Sequence, residues 1–368
     1  GARQTGPHAH ARAGLRAPRR MAGSRAVDFE IDGQRIAPGT RHQVSLQIGA
    51  LYTSAPVTLP VYVVHGRKKG PVLFVSAALH GDEINGIEIV RRVLELPALR
   101  QMRGTLLAVP VLNVLGFLHR SRYLPDRRDL NRSFPGSEQG SLAARLAHRF
   151  LSEVVHRADA GIDLHTGALQ RPNLPQIRAD LRNEETHRLA NAFGAPVMLD
   201  SPPVAGTLRE YVTGLGMPVL LYEAGEALRF NEVAIRLGVR GVMNVLRALG
   251  MLPALSRHAP PIQPVTAHSS NWVRSPISGV LRAQTELGQA VREGDRVGWV
   301  GDPVGGTDTA VYAHVDGIVI GCTSLPLVYE GDALFHIARI DDAPEAAQTV
   351  ALARKLAAAM PRPRARFD

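Results

Sequence analysis

The sequence predicts an α/β domain followed by a small all-β sandwich. Between residues 59 and 250, apolar strand-like runs alternate with amphipathic helical ones, the pattern of a sheet covered by helices on both faces. A stretch rich in Pro and Ser, "SRHAPPIQPVTAHSSN" (256–271), then breaks that pattern. Beyond it lie short alternating runs with Gly turns in two similar halves: SPISGVL with REGDRVGWV, then AHVDGIVIG with YEGDALFHI.

Taken in order, residues 26–55 form a β-rich lead-in. "LPVYVVHG" (59–66) and "GPVLFVSAAL" (70–79) are strands. "EINGIEIVRRVLEL" (83–96) is a helix with Ile84, Ile87, Val90 and Leu94 on one face. "TLLAVPVLN" (105–113) is the next strand, followed by a long polar loop over 114–140. Residues 141–158 are helical, with Ser141 as N-cap. "GIDLHTG" (161–167) and "MPVLLYEAG" (217–225) are buried strands, and residues 231–250 are helical. The expected division is a disordered basic tail (1–25), a catalytic domain (26–255), a linker (256–271), a β-sandwich (272–340) and a helical, basic C-terminal tail (341–368).

The net charge of +10 is confined to the ends. Residues 1–25 carry six arginines and no acids, and residues 351–368 carry four arginines, one lysine and one aspartate, so residues 26–350 are formally neutral. That argues against a nucleic-acid groove. Residues 1–20 lack the apolar core of a secretory signal, and no run reaches the roughly 18 apolar residues of a membrane span. A single cysteine, Cys322, excludes an intramolecular disulfide and a thiolate zinc cluster. The expectation is a cytoplasmic protein with no nucleic-acid partner and no membrane association, its homo-oligomeric state open.

Chemistry-bearing residues gather at strand ends, where ligands bind in open α/β sheets. His80 and Glu83 sit at a strand-to-helix corner with Gly81 between them, supplying an imidazole and a carboxylate from one turn. Acids in a first helical turn would explain Glu83 equally well. His165 supplies a third candidate ligand from another strand, with Asp163 two residues before it as a partner that fixes the imidazole tautomer. Glu223 ends an apolar strand, where a carboxylate is costly unless paired or solvated in a cleft, a setting that suits a general base. Asn131 and Arg132 pair an amide with a guanidinium suited to a carboxylate, and Arg122 is a second cation in that loop. Five arginines lie between 120 and 132, so most of them must be solvated surface residues.

"HGDE", "RDLNRSFPG", "DLHTG" and "YEAG", in this order over roughly residues 55–340, resemble the succinylglutamate desuccinylase/aspartoacylase family of the zinc carboxypeptidase clan. The resemblance implies a zinc-carboxypeptidase-like mixed sheet flanked by helices and a biotinyl/lipoyl-like sandwich after it. It implies one Zn2+ per subunit held by His80, Glu83 and His165, and Glu223 as the acid/base that activates a zinc-bound water. Asn131 and Arg132 match the residues for a substrate α-carboxylate. Arg122 matches the residue that polarises the scissile carbonyl, with Arg127 and Arg128 as alternatives. The implied activity is deacylation of a small N-acyl amino acid, the alternative being a carboxypeptidase acting on peptides or a C-terminal tail. Residues 271–350 contain no lysine, which excludes a carrier role for the sandwich and leaves a structural or cleft-narrowing one.

Overall fold

A computed structural model of the chain describes residues 24–254 and 262–360. The expected N-terminal tail lies almost wholly outside the described residues, as do 255–261 of the linker and 361–368 of the C-terminal tail.

A small hairpin, β1 (Phe29–Ile31) and β2 (Gln34–Ile36), precedes the long antiparallel pair β3 (Arg41–Ala50) and β4 (Pro56–His65). Then follow β5 (Val72–Ala77), α1 (Asn85–Glu95), β6 (Thr105–Val109), α2 (Val114–Leu118) and α3 (Leu142–Glu153). β7 (Ala160–Gly167), β8 (Asn173–Ala179), α4 (Glu184–Phe193), β9 (Val197–Asp200), α5 (Leu208–Gly214), β10 (Val219–Glu226) and α6 (Glu232–Ala248) complete this region. The parallel core is only four strands wide, in the order β10-β7-β5-β6. Antiparallel strands flank it on both sides, β4 and β3 beyond β6 and β8 beyond β10, so the sheet is mixed.

Strand alternation sorts the side chains between two cores. Leu73, Val75, Ile162, Leu164 and Tyr222 face α1, α4 and α6, where the Tyr222 and Phe193 rings lie 4.9 Å apart. Phe74, Leu107 and Val219 face α3 and α5, where Phe74 meets Phe150 edge-on at 5.9 Å. Asp163, His165, Leu221 and Glu223 have the parity of this second face. There the helices leave the carboxyl ends of the strands uncovered for a cavity.

Two expectations need correction. The buried stripe of α1 runs through Gly86, Ile89, Val90 and Val93, leaving Ile84, Ile87 and Leu94 only partly buried. Close packing of α1 on the sheet through Gly86 sets that rotation: a Cβ there would lie 2.7 Å from that of Ala77 and 2.8 Å from that of Leu164. The polar stretch 114–140 is not all loop. Asn113 caps the short helix α2 through Gly116 N–H, and a 3-10 turn forms over Leu130–Arg132. Ser141 caps α3, accepting from Ala144 N–H.

Within the stretch expected as linker, β11 (Val265–Ala267) pairs in parallel with β9, and β12 (Ser269–Arg274) begins. β13 (Gly279–Ala283), β14 (Ala290–Val291), β15 (Arg296–Gly301), β16 (Asp308–Tyr312), β17 (Gly317–Cys322), β18 (Leu327–Val328) and β19 (Ala333–Arg339) then form two facing layers. One is the sheet β16-β15-β13-β18. The other, β12-β19-β17, continues the large sheet through a β17–β8 pairing. Thirteen strands therefore form one sheet, because β17 joins β8 at Asn173, on the edge that β9 pairs with further along. A terminal helix, α7 (Ala343–Ala359), packs against α6, with Arg236 donating to the carbonyls of Ala357 and Met360. Among the described residues no helix is long and apolar enough to cross a membrane.

Candidate metal and active site

Beyond β5 the chain makes a tight turn. Ala78 adopts φ +48°, and Glu83 N–H donates to His80 C=O at 3.1 Å. Gly81 of that turn is not in the left-handed region. It is required by close approach, since a Cβ there would sit 2.1 Å from the Gly116 carbonyl carbon. The contact sets α2 against the corner that carries His80 and Glu83. Asp82, the remaining acid of that corner, is outside the cluster that forms.

His80, Glu83 and His165 are all buried, and one donor atom from each lies within 4.8 Å of the others. Glu83 sits between the rings, Oε1 at 2.7 Å from His80 Nδ1 and Oε2 at 2.8 Å from His165 Nδ1. Thr166 N–H also donates to Oε2, at 3.1 Å. Burial would raise the Glu83 carboxyl, but the two imidazoles hold it well below the usual carboxylate range. Burial would depress His165, but Asp163 and Glu83 outweigh it and raise the ring well above its ordinary value. His165 Nε2 lies 2.7 Å from Asp163 Oδ2, and Asp163 Oδ1 accepts from Ser76 Oγ at 2.7 Å. Asp163 therefore sits behind the imidazole. His80 Nε2, on the far side of the ring from Glu83, is buried and faces Asp129. Three converging buried donors of the His₂Glu type fit a divalent metal ion.

The loop after α2 brings Arg122 to this cluster. Its Nη1 lies 3.4 Å from His80 Nδ1 and 3.6 Å from Glu83 Oε1. Arg127 and Arg128 are exposed, and Arg128 points to Asp126. Asp129, given no role on sequence grounds, organises the loop. Its Oδ2 accepts from Arg122 Nη2 at 2.9 Å and Nε at 3.2 Å, and its Oδ1 accepts from Asn131 N–H at 2.8 Å. Oδ1 also lies 3.3 Å from His80 Nε2. Arg132 donates to Asn131 C=O, and the Asn131 side-chain oxygen is taken by Leu208 N–H at 3.1 Å, leaving its amide donors for a ligand.

Glu223 stands directly across from His165 in the parallel pairing of β10 with β7, on the same face. Asn173 Nδ2 donates to its Oε2 at 2.8 Å. Just beyond, the pairing is shifted by a bulge at which Gly225 takes φ +75°. His80, Glu83, His165, Arg122, Asn131, Arg132, Asn173 and Glu223 line one cavity of about 280 Å³. Sequence reasoning also missed Asn173, Arg178 and Arg209 on its wall. Arg209 donates to the carbonyls of Ser201 and Pro202, and burial together with the charge of Arg178 lowers its pKa to about 10. The Arg178 side chain makes no hydrogen bond or ion pair with any described residue, and its Nε is buried. An arginine amid the apolar run "LPQIRA" was the available signal for it.

The chain matches the family model described as the succinylglutamate desuccinylase/aspartoacylase catalytic domain over residues 69–249. It is 27% identical over 331 residues to the N-alpha-acetyl-L-2,4-diaminobutyric acid deacetylase of Halomonas elongata, covering 86% of this chain and 95% of the relative. It is 28% identical over 233 residues to a succinylglutamate desuccinylase of Pseudomonas aeruginosa, covering 58% and 67% of the two chains. A succinylglutamate desuccinylase/aspartoacylase structure from Rhodobacter sphaeroides superposes with TM-score 0.74 at 25% identity, covering 86% of this chain and 99% of the other. The product-bound ectoine utilization protein EutE (DoeB) of Ruegeria pomeroyi shares the fold, at TM-score 0.73 and 24% identity over 81% and 95% of the two chains. With its catalytic-domain match, full-length relatives and common fold, the chain belongs to the succinylglutamate desuccinylase/aspartoacylase family.

Proposed function

We propose that this protein is a zinc-dependent amidohydrolase that removes the acyl group from an N-acyl amino acid or a related small N-acyl compound. The observation that carries the reading is the convergence of the buried His80–Glu83–His165 donor set with the Glu223 carboxylate and the Arg132 guanidinium on one cavity. The curated relatives named above, a deacetylase and a desuccinylase, both release an acyl group, which supports the same reaction class here.

Amide hydrolysis needs a polarised carbonyl, an activated water and a proton for the leaving nitrogen. Zinc bound by His80, Glu83 and His165 would polarise the acyl carbonyl and lower the pKa of water to about 7. The remaining work belongs to the chain. Asp163, itself held by Ser76, fixes the His165 tautomer so that Nδ1 faces the donor set. Asn131 and Arg132 take the α-carboxylate of the amino-acid half and so set the direction in which the amide enters. Arg122, oriented by its two bonds to Asp129, stabilises negative charge developing on the acyl oxygen. Glu223 accepts a proton from the attacking water and delivers it to the departing nitrogen. Residues 26–255 act as the catalytic unit and the biotinyl/lipoyl-like sandwich as a structural support, since it has no lysine in 271–350 to carry a cofactor.

The test is amine release from N-acetyl, N-succinyl and N-formyl amino acids and from short peptides, with Glu223→Ala alongside. Turnover of an acyl amino acid that disappears in the variant is expected. Turnover of peptides alone would replace deacylation by the carboxypeptidase reading.

A further inference from the structure

We propose that Asn173 is a positioning residue that fixes the Glu223 carboxylate, and that the C-terminal sandwich completes the slot that holds it. The inference rests on Glu223 acting as the acid/base. Asn173 opens β8 opposite the bulge of β10, and its Nδ2 donates to Glu223 Oε2 at 2.8 Å, the one hydrogen bond to that carboxylate among the described residues. Its carboxamide lies between two glycines. A Cβ on Gly167 of β7 would approach Asn173 Cγ to 3.2 Å, and a Cβ on Gly321 of β17 would approach Asn173 Oδ1 to 2.9 Å. One wall thus comes from the strand that carries His165, and the other from the sandwich.

The sandwich strand is fastened at that point. Gly321 pairs with Asn173, Cys322 N–H donates to Pro172 C=O at 3.3 Å, and Ser324 N–H donates to Gln170 C=O at 2.8 Å. No sandwich residue lines the cavity itself. The β module expected to narrow the cleft therefore meets the site through Asn173. The position of the amide, and with it the lone-pair direction of Glu223, depends on a backbone roughly 150 residues further along the chain.

The experiment uses the full-length, zinc-loaded enzyme. Asn173→Ala should lower kcat by roughly 10- to 100-fold, the range for a hydrogen bond to a charged group, with KM changed less than about threefold. Gly321→Ala, whose backbone is not left-handed, should lower kcat about fivefold as the amide gives way. Gly321→Ala should have no further effect in an Asn173→Ala background, and Asn173→Ala none in a Glu223→Gln background. A crystal structure of Gly321→Ala should show the Asn173 amide displaced and its contact with Glu223 lengthened. Losses that add, a drop confined to melting temperature, or an unmoved carboxylate would overturn the proposal. Full activity in Glu223→Gln would instead remove the acid/base role on which it rests. If no substrate is turned over, the crystal structure decides the positioning claim alone.

Discussion

Replacing Asp129 by Asn is the substitution that most directly probes how the site is held. Asp129 binds Arg122 through two contacts on one oxygen, at 2.9 and 3.2 Å, and anchors Asn131 N–H with the other at 2.8 Å. Its side chain is 17% exposed and that of Arg122 is 29% exposed, so the pair is neither fully screened nor deeply buried. Asn keeps the shape and the bond to Asn131 but removes the charge and can turn an NH2 toward the guanidinium. Charge-assisted bonds of this kind are worth about 1.5–3 kcal/mol, which corresponds to a fall in kcat of roughly 10- to 150-fold if Arg122 must be held to act. KM should move little, because Asn keeps the bond to Asn131 N–H, and Arg132 N–H donates to the Asp129 backbone carbonyl, which the substitution leaves in place. Steady-state kinetics of Asp129→Asn, Arg122→Gln and the double variant form the assay. The double variant should be no slower than Arg122→Gln. Strictly additive losses, or an Asp129→Asn enzyme with wild-type kcat, would refute the claim that Asp129 acts through Arg122.

Two further outcomes follow from groups around the cavity. Arg178 has no ion-pair partner among the described residues and lies near Arg209, so Arg178→Met should stabilise the fold by about 1 kcal/mol, a few degrees in Tm, while weakening activity; calorimetry showing a lower Tm would contradict this. His336, stacked on Trp272 at 4.5 Å, has its pKa pushed down to about 3 by burial and by Arg178. Its folded pKa lies below the unfolded value of 6.5, so the unfolded chain takes up a proton that the folded one refuses, and stability is lost as pH falls from about 6.5 toward 3. Between pH 7 and 5 this amounts to about 2 kcal/mol, and His336→Phe should lose that much less over the interval in urea unfolding. Equal losses in the two proteins would exclude His336 as the titrating group.

The sequence was most informative where function constrains residue type against its surroundings. His80, Glu83, His165 and Glu223 were legible because polar residues interrupt apolar strands at a sheet edge, and the structure gathers all four around one cavity. Asp129 was hidden among five neighbouring arginines, since nothing local tells which of them it holds. Asn173 and Gly321 were hidden for a different reason. They meet only because β17 joins the edge of β8, a long-range pairing that no short-range periodicity encodes. The same pairing turns a module that reads as separate along the chain into an extension of the large sheet. The face of α1 was misjudged because four apolar side chains fit two overlapping stripes, and the close contact at Gly86 selects between them.

His80, Glu83 and His165 are proposed to hold a catalytic zinc ion beside Glu223. Elemental analysis of purified enzyme, before and after chelation and zinc readdition, with amine release measured on the same samples, tests it most directly. One zinc per chain, loss of both metal and turnover on chelation, recovery of both on readdition, and metal-free protein in His165→Ala are the expected results. Undiminished turnover in chelated enzyme, or wild-type zinc content in His165→Ala, would contradict it.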